Sequence, residues 1–121
     1  MKSHKDLDVW KAAIQLAKNI YSLTSKFPKD EMFGMTAQMR RCSVSIASNL
    51  AEGAARQSDK EFIQFLHVAL GSVAELETQL IIAGEVSLGD PSVLRSIDED
   101  LIRIRQMLRG LVNSVKASKS P

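Results

Sequence analysis

Two stretches of roughly 25 residues each carry apolar side chains at alternating steps of three and four, the spacing that places them on one side of an α-helix. In residues 59–85 the series is Phe62, Leu66, Ala69, Val73, Leu76, Leu80 and Ala83. In residues 91–116 it is Leu94, Ile97, Leu101, Ile104, Leu108, Leu111 and Val115. A helix of this kind gains most of its stability by packing its apolar side against another helix. The pattern therefore predicts a helical bundle.

Both predicted helices begin with residues suited to capping. Ser58 can accept a hydrogen bond from an amide of the first turn, and Glu61 can return one to the backbone of Ser58, which is the capping-box arrangement. Asp90 can cap the last helix, and Pro91 occupies its first turn, where a missing amide hydrogen costs least. These signals place the helix starts at residues 59 and 91.

Two further helices are expected nearer the N-terminus. The first, residues 6–26, has a broad apolar face and ends before Pro28, because proline disfavours the helical conformation in the residue before it. The second, residues 36–54, has an apolar stripe and, on another face, small side chains that let a neighbouring helix approach closely. Gly53 is expected to end this helix in the left-handed cap conformation.

Short connections between four helices favour antiparallel neighbours. We therefore predict an all-α fold in which residues 1–121 form one domain, an antiparallel up-down-up-down four-helix bundle. A DNA-reading helix-turn-helix is the competing all-α fold. It requires two short helices across a tight turn, and the last two helices are too long for it.

The composition excludes several classes of protein. The chain has 121 residues, of which 45% are hydrophobic and 25% charged, as is typical of a folded globular domain. No apolar run approaches the ~20 residues of a membrane span, and lysines interrupt the N-terminal segment where a signal peptide would need an apolar core. A cytoplasmic protein without a membrane-spanning segment is expected.

Cys42 lies on an apolar helix face, which favours a buried thiol in a reducing compartment over a reactive thiol.

The charges are distributed unevenly along the chain. The formal net charge is only +2, yet residues 61–90 contain five acidic and no basic side chains. Residues 1–30 and 91–121 each carry a net charge of +3. Complementary surfaces on different helices are thus available for packing or for pairing between subunits. The alternative is that these charges only solvate exposed faces.

The sequence lacks the patterns of common catalytic and metal centres. A di-iron bundle needs Glu-x-x-His pairs, but Glu52 is followed three residues later by Ala55 and Glu75 by Thr78. His67 has no cysteine or second histidine at ligand spacing. The serines of the second predicted helix have no nearby histidine to act as base. We therefore expect no metal, no cofactor and no enzymatic activity.

Polar residues on the second and third predicted helices allow two interpretations. Asn49 and Glu75 lie at helical spacing from apolar neighbours, so they could belong to a buried polar network. Its other candidate members are Arg41, Ser43, Ser45 and Glu52 on the second helix and Ser72, Glu77 and Gln79 on the third. A buried carboxylate would then need a cationic partner, for which Arg41 or Arg56 is suited. Alternatively, these side chains lie on a solvated face. The sequence leaves both interpretations open.

Three segments together resemble a known family. They read QMRRCSVSIASNLAEG at residues 38–53, SDKEFIQFL at 58–66 and GSVAELETQL at 71–80. With residues 7–10 and 21–28 they resemble the four-helix-bundle proteins of the 23S rRNA intervening-sequence family over nearly the whole chain. The signature positions are Arg41, Asn49, Glu52, Gly53, Arg56, Gly71, Ser72 and Glu75. One departure is Leu70, where the family often has an arginine that could contact a polyanion or form an ion pair.

This resemblance implies a four-helix protomer that assembles into a homo-oligomer, a ring of five, with no known catalytic activity. Some members of the family are encoded within insertions in bacterial large-subunit ribosomal RNA genes. A related branch comprises accessory proteins of diversity-generating retroelements, whose pentamers bind nucleic acid and a reverse transcriptase. The partners implied are therefore further copies of the chain, RNA or DNA, and a reverse transcriptase or another protein.

Two functions remain in competition. The first is that of a nucleic-acid-binding accessory protein, with Arg103, Arg105, Arg109 and Lys116 as the candidate contacts. A ring would multiply these cations, and the scarcity of aromatic side chains would limit base stacking and sequence specificity. The second is that of an oligomeric scaffold that binds another protein without touching nucleic acid. The acidic third helix beside basic first and fourth helices supports this alternative.

Overall fold

The structure, a computed structural model, describes residues 3–118, and this part of the chain contains four α-helices and no β-strand. The helices are α1 (Asp8–Thr24), α2 (Met35–Ala54), α3 (Asp59–Glu85) and α4 (Pro91–Ala117). Short 3-10 turns at His4–Asp6 and Lys29–Glu31 precede α1 and α2. The predicted all-α fold class is confirmed.

Each helix packs against its neighbours along the chain, and α1 also packs against α4. Among residues 3–118, α1 does not pack against α3, nor α2 against α4, so these pairs occupy diagonal corners of the bundle. At one end Arg40 Nε, near the start of α2, donates to Thr24 Oγ1 at the end of α1 (2.9 Å). Near the other end, Ser118 Oγ lies 3.5 Å from Asp59 Oδ2 at the start of α3. These contacts are consistent with an antiparallel up-down-up-down bundle.

The apolar stripes of all four helices meet in one core. Its largest fully buried side chains include Leu16, Ile20, Met39, Ile46, Leu50, Leu66, Leu76, Leu101, Ile104 and Leu108. The predicted seam fails only near the end of α4, where Val112 is buried and Leu111 and Val115 are half-buried. Side chains at a strict seven-residue spacing drift by ~20° per heptad around a straight helix. The step of four residues from Leu108 to Val112 compensates for this drift, so the apolar side chain still faces the core.

The helix caps follow the sequence signals with one change. Ser58 Oγ accepts from the Glu61 amide (3.1 Å), as expected, but the Glu61 carboxylate accepts from the Ser58 hydroxyl (3.1 Å) instead of its backbone amide. Asp90 Oδ1 accepts from the amide (2.8 Å) and the hydroxyl (2.7 Å) of Ser92. These two hydrogen bonds hold the pKa of Asp90 below its ordinary value.

Gly53 is not the left-handed cap that its position suggested. Helix α2 continues through it to Ala54, and the residues with positive φ are Ser87 (61°) and Gly89 (81°), in the turn between α3 and α4. At Gly53 an added Cβ would lie 2.6 Å from the Cβ of Phe65 on α3. The absence of a side chain is therefore needed for the close approach of α2 to α3 and not for backbone conformation.

Helix α3 is unusually apolar for a helix with a solvent-facing side. By length and composition it is the one helix of residues 3–118 that could cross a membrane, although only 33% of its most apolar stretch is buried in the bundle. Its buried side packs against α2 and α4, as the core helix of a globular protein does. Its outer side is left uncovered in a single protomer.

Candidate nucleic-acid interface

The sequence-predicted site residues fall on two parts of the bundle. The eight signature residues lie on α2, on α3 and in the turn that joins them. The four basic candidates all lie on α4. The two sets have different environments.

Arg56 closes the corner where α2 turns into α3. Its guanidinium carbon lies 4.8 Å from the centre of the Phe65 ring, and its Nη2 atom lies 2.9 Å from Glu52 Oε1. Its Nη1 atom lies 4.0 Å from Glu61 Oε2. Because Phe65 also packs against Gly53, the signature residues Glu52, Gly53 and Arg56 act together in joining the two helices.

A polar seam links α2 to α3 nearer the middle of the bundle. Asn49 Nδ2 donates to the carbonyl (2.8 Å) and the hydroxyl (3.0 Å) of Ser45. The Ser45 hydroxyl lies 2.9 Å from that of Ser72, whose carbonyl accepts from Cys42 Sγ (3.1 Å). Ser72 and Cys42 are buried, and Asn49 and Ser45 are half-buried. Of the candidate network residues, Ser45, Asn49 and Ser72 are therefore linked, together with Cys42, through hydroxyl, amide and thiol groups.

Neither candidate carboxylate is buried in this network, although the Glu75 carboxylate lies near the Cys42 thiol. Glu52 and Glu75 are both exposed, so the interpretation that buried them is wrong. Burial of a carboxylate costs several kcal/mol unless a cation and further hydrogen bonds offset it. Arg56 pairs with Glu52, whereas Arg41 forms no ion pair within 4.0 Å in the described residues. The expected arginine partner of Glu75 is thus absent within the protomer.

Cys42 is buried, as predicted, and its surroundings disfavour the thiolate form. Burial, followed by the nearby Glu75 carboxylate, raises the pKa of its thiol to about 12. The reactive form of cysteine is the thiolate, which is scarce at neutral pH when the pKa is this high. The thiol serves as a small buried donor to the Ser72 carbonyl.

Outside the polar seam, α2 and α3 border a cleft of about 320 Å³. Its lining residues are Gln38, Arg41, Cys42, Ser45 and Glu75. Arg41 and Glu75 bring opposite charges to this cleft, and in the described residues neither forms an ion pair within 4.0 Å. Both are therefore available to groups outside the protomer.

The four basic candidates on α4 do not act as one patch. Arg103 Nη2 lies 2.6 Å from Asp100 Oδ1 on the same helix. Arg105 Nη1 lies 3.3 Å from both carboxylate oxygens of Glu77 on α3. These acidic neighbours offset the two positive charges and would repel a phosphate.

Arg109 and Lys116 differ from the first two candidates because no carboxylate of residues 3–118 lies within 4.0 Å of either. Both line a groove of about 520 Å³ between α3 and α4. His67 and Asn113 add an imidazole and an amide to the same groove. Its remaining lining residues are Leu70, Gly71 and Val112, so the groove contains hydrogen-bond donors and no carboxylate.

These donors match the oxygens of a phosphodiester. An arginine offers a planar fork of N–H groups, and a lysine offers a compact point charge. Histidine and asparagine side chains can add hydrogen bonds to phosphate or sugar oxygens. The groove is therefore suited to an extended anionic chain.

Reasoning from sequence missed His67 and Asn113. A signal was present, because Arg109, Asn113 and Lys116 are spaced by four and three residues and so share a helix face. His67 and Gly71 are likewise four residues apart on α3. What the sequence could not show is that these two faces border the same groove.

The two glycines among the signature residues, Gly53 and Gly71, differ in how closely other atoms surround them. Apart from its chain neighbours and the backbone of its own helix, nothing lies within 4 Å of the place where a Cβ would stand at Gly71, in contrast to the crowded site at Gly53. Packing within the protomer therefore does not require glycine at position 71. Its effect on the surface is to leave the groove open on the α3 side.

The described residues show no arrangement typical of a metal centre. Among residues 3–118, no three His, Cys, Asp or Glu side chains are grouped closely enough to hold an ion together. The one free cysteine of this part of the chain is the buried Cys42.

Comparison with known proteins gives a consistent picture. Residues 5–110 match the family model described as 23S rRNA-intervening sequence protein. The fold is similar to the crystal structure of a protein of unknown function from the S23 ribosomal protein family of Bacteroides thetaiotaomicron VPI-5482. That similarity has a TM-score of 0.78 at 25% sequence identity, and covers 87% of this chain and 95% of the other. No functionally curated protein matches the chain.

Proposed function

The chain belongs to the 23S rRNA-intervening sequence protein family, and from this membership we propose that it is a non-enzymatic, homo-oligomeric accessory protein that binds RNA or DNA. The contact surface in this proposal is the groove between α3 and α4. The observation that carries it is the pair Arg109 and Lys116, two cations without carboxylate neighbours that line one groove with His67 and Asn113. The protein is proposed to act in the cytoplasm.

The chemistry of the groove favours contacts to the backbone of a nucleic acid over contacts to its bases. Cations that neutralise phosphates release counterions, so affinity falls as the salt concentration rises. No Phe, Tyr or Trp ring lines the groove, and base stacking on such rings is the usual source of affinity for single-stranded bases. The binding is therefore expected to depend strongly on salt and weakly on sequence.

A single protomer offers only two strong cations in this groove, which is too few for tight binding at physiological salt. In the ring of five that the family resemblance implies, about ten such cations would act on one polyanion, and avidity would raise the affinity without any new contact.

Leu70 lines the groove at the position where the resemblance predicts an arginine. The groove of this chain is thus less positive than that of relatives with an arginine there.

The proposal is tested by measuring nucleic-acid binding by fluorescence anisotropy at low and at physiological salt. The probes are an RNA hairpin, a single-stranded RNA and a DNA duplex of equal length. We expect the double variant Arg109→Ala, Lys116→Ala to lose at least about tenfold in affinity and to show a shallower salt dependence.

The matched control is the double variant Lys29→Ala, Lys60→Ala, which removes the same charge from exposed positions outside the groove. It should bind nearly as well as the wild type. If the wild-type chain binds none of the three probes at low salt, the proposed function is wrong. Equal losses in the two double variants would mean that overall charge, and not the groove, determines binding.

A second function has one specific observation in its favour. Phe33, in the connection before α2, is 96% exposed and follows Met32, which is 49% exposed, so the two residues present adjacent apolar side chains to solvent. The chain could be a scaffold that holds a reverse transcriptase or another protein. Capture from native cells after nuclease treatment tests this alternative. A partner retained by the wild type and lost with Phe33→Ser would favour it.

A further inference from the structure

The outer side of α3 carries an exposed stripe of apolar side chains around one carboxylate. Val68 is 52% exposed, Ile82 44% and Val86 58%, and Glu75 is exposed between them. Steps of seven, seven and four residues place these four side chains on one side of the helix. We refer to Val68, Glu75, Ile82 and Val86 as the α3 stripe.

This stripe has no cover within the protomer. A helix that is apolar on all sides normally lies in the interior of a larger structure. The most apolar stretch of α3 has the hydropathy of a membrane-spanning helix, yet only 33% of it is buried. Gly71, with open space around it, lies between Val68 and Glu75 in the sequence and leaves room for a side chain from outside.

The outer side of α1 carries a stripe of opposite charge. Lys11, Ile14, Lys18 and Tyr21 follow one another at steps of three, four and three, so they share a helix face. Ile14 is 38% and Tyr21 46% exposed, and both lysines are exposed. We refer to these four residues as the α1 stripe.

Each of these two surfaces carries charges of a single sign. Between Asp8 and Asp30 the chain has no acidic residue. Arg40 adds another positive group beside the α1 stripe, because its guanidinium carbon lies 4.6 Å from the centre of the Tyr21 ring. Residues 61–90 have no basic residue, and Glu75 forms no ion pair within 4.0 Å in the described residues. Arg41 on α2 lines the same cleft as Glu75.

We propose that the α3 stripe of one protomer is covered by the α1 stripe of a second copy of this chain. Each stripe supplies apolar side chains, and the lysines of one complement the glutamate of the other. This proposal deepens the homo-oligomer of the proposed function, on which it rests, by naming the two surfaces that meet. The occupant is a second copy because this chain itself presents the complementary surface.

The positions of the two helices determine the kind of assembly. Helices α1 and α3 occupy diagonal corners of the bundle, so the two stripes are separate surfaces of one protomer. Contacts between different surfaces are head-to-tail, and they build a closed ring when the rotation between subunits closes. A two-fold dimer, in which one surface meets its own copy, is not the expected product.

The test uses two variants that each damage one stripe. Lys11→Glu, Lys18→Glu reverses the charge of the α1 stripe at exposed positions, and Val68→Asp, Ile82→Asp places charge on the α3 stripe. Each variant alone should be monomeric at micromolar concentrations by light scattering coupled to gel filtration. A mixture of the two should form a one-to-one heterodimer, because one protomer still has an intact α1 stripe and the other an intact α3 stripe.

Matched controls separate loss of the interface from a general effect of charge. Lys29→Glu, Lys60→Glu makes the same charge change away from both stripes, and Ile102→Asp places one charge on an exposed apolar position of α4. Both controls should keep the wild-type mass. Circular dichroism reports whether each variant is folded, and Glu75→Lys, which alters no buried side chain, replaces the aspartate variant if that one unfolds.

Three results would overturn the inference. If each stripe variant still dimerises and the mixture forms nothing new, each stripe meets its own copy. If both variants keep the wild-type mass, the interface lies elsewhere, although the homo-oligomer of the proposed function survives. If the wild-type chain itself is monomeric, both the inference and the proposed oligomer are wrong.

Discussion

Replacing Gly53 by alanine tests how closely α2 and α3 approach each other. The new Cβ would lie 2.6 Å from Phe65 Cβ and 3.1 Å from Phe62 Cδ1. Carbon atoms in van der Waals contact are ~3.5–4.0 Å apart, so the first distance is short by about 1 Å. The Phe65 Cβ is bonded directly to its backbone and cannot rotate away, so the two helices must separate locally.

Two opposing effects set the expected change in stability. Overpacking of a close contact costs about 1–3 kcal/mol, whereas replacing glycine by alanine within a helix gains about 0.5–1 kcal/mol. The free energy of unfolding should therefore fall by about 1–2 kcal/mol. With a urea dependence of ~1–3 kcal/mol per molar for a small protein, the unfolding midpoint should fall by roughly 1 M.

The assay is urea unfolding followed by far-ultraviolet circular dichroism at one fixed protein concentration, because association would otherwise contribute to stability. Gly110→Ala is the matched control. It lies within α4, and no atom stands within 4 Å of the place of its Cβ, so the same substitution should stabilise the chain by about 0.5–1 kcal/mol. If both variants are stabilised, the close-approach explanation of Gly53 is refuted.

Three further predictions concern the contacts between α2 and α3. The pKa of the Cys42 thiol is raised from 9.0 to about 12. The contribution of this thiol to the free energy of unfolding is therefore full below pH 9.0 and is lost as the pH rises toward about 12. The unfolding free energy of the wild type should therefore fall more steeply over that interval than that of Cys42→Ala, and parallel slopes would contradict the raised pKa. Arg56→Ala should lower the thermal stability by about 1 kcal/mol through the lost ring contact and ion pair, and Arg56→Lys should recover only part of it. Ser72→Ala should cost about 1 kcal/mol in urea unfolding through the lost bond to Ser45, and an unchanged midpoint would show that the bond contributes nothing.

The positions of the helices could be predicted from the sequence because the signals for them are local. An apolar period of three and four residues, a capping serine or aspartate, and a proline each act within one or two turns of chain. Helix α3 occupies Asp59–Glu85, the range that its apolar seam and Ser58 indicated. The burial of Cys42 could be anticipated in the same way, from its place on the apolar face of α2.

The roles of single residues on these helices depended on what each side chain meets across the bundle. Gly53 looked like a helix end, but the neighbouring Phe65 explains why it must be small. Glu75 looked suited to a buried network, but its side chain is exposed, and the side-chain hydrogen bond that crosses between the two helices joins Ser45 to Ser72. Neither neighbour is visible from the local sequence, because each belongs to another helix.

The candidate interface also combines features that the sequence predicts with features that depend on how the helices pack. The sequence by itself determined four amphipathic helices, their caps, and an α4 rich in arginine, since these follow from residue order alone. Only the tertiary structure decided that Glu77 lies beside Arg105 while His67 shares a groove with Arg109. The physical reason is that the strength of a charge depends on its distance from other charges and on its exposure to water, and both are set when the helices pack.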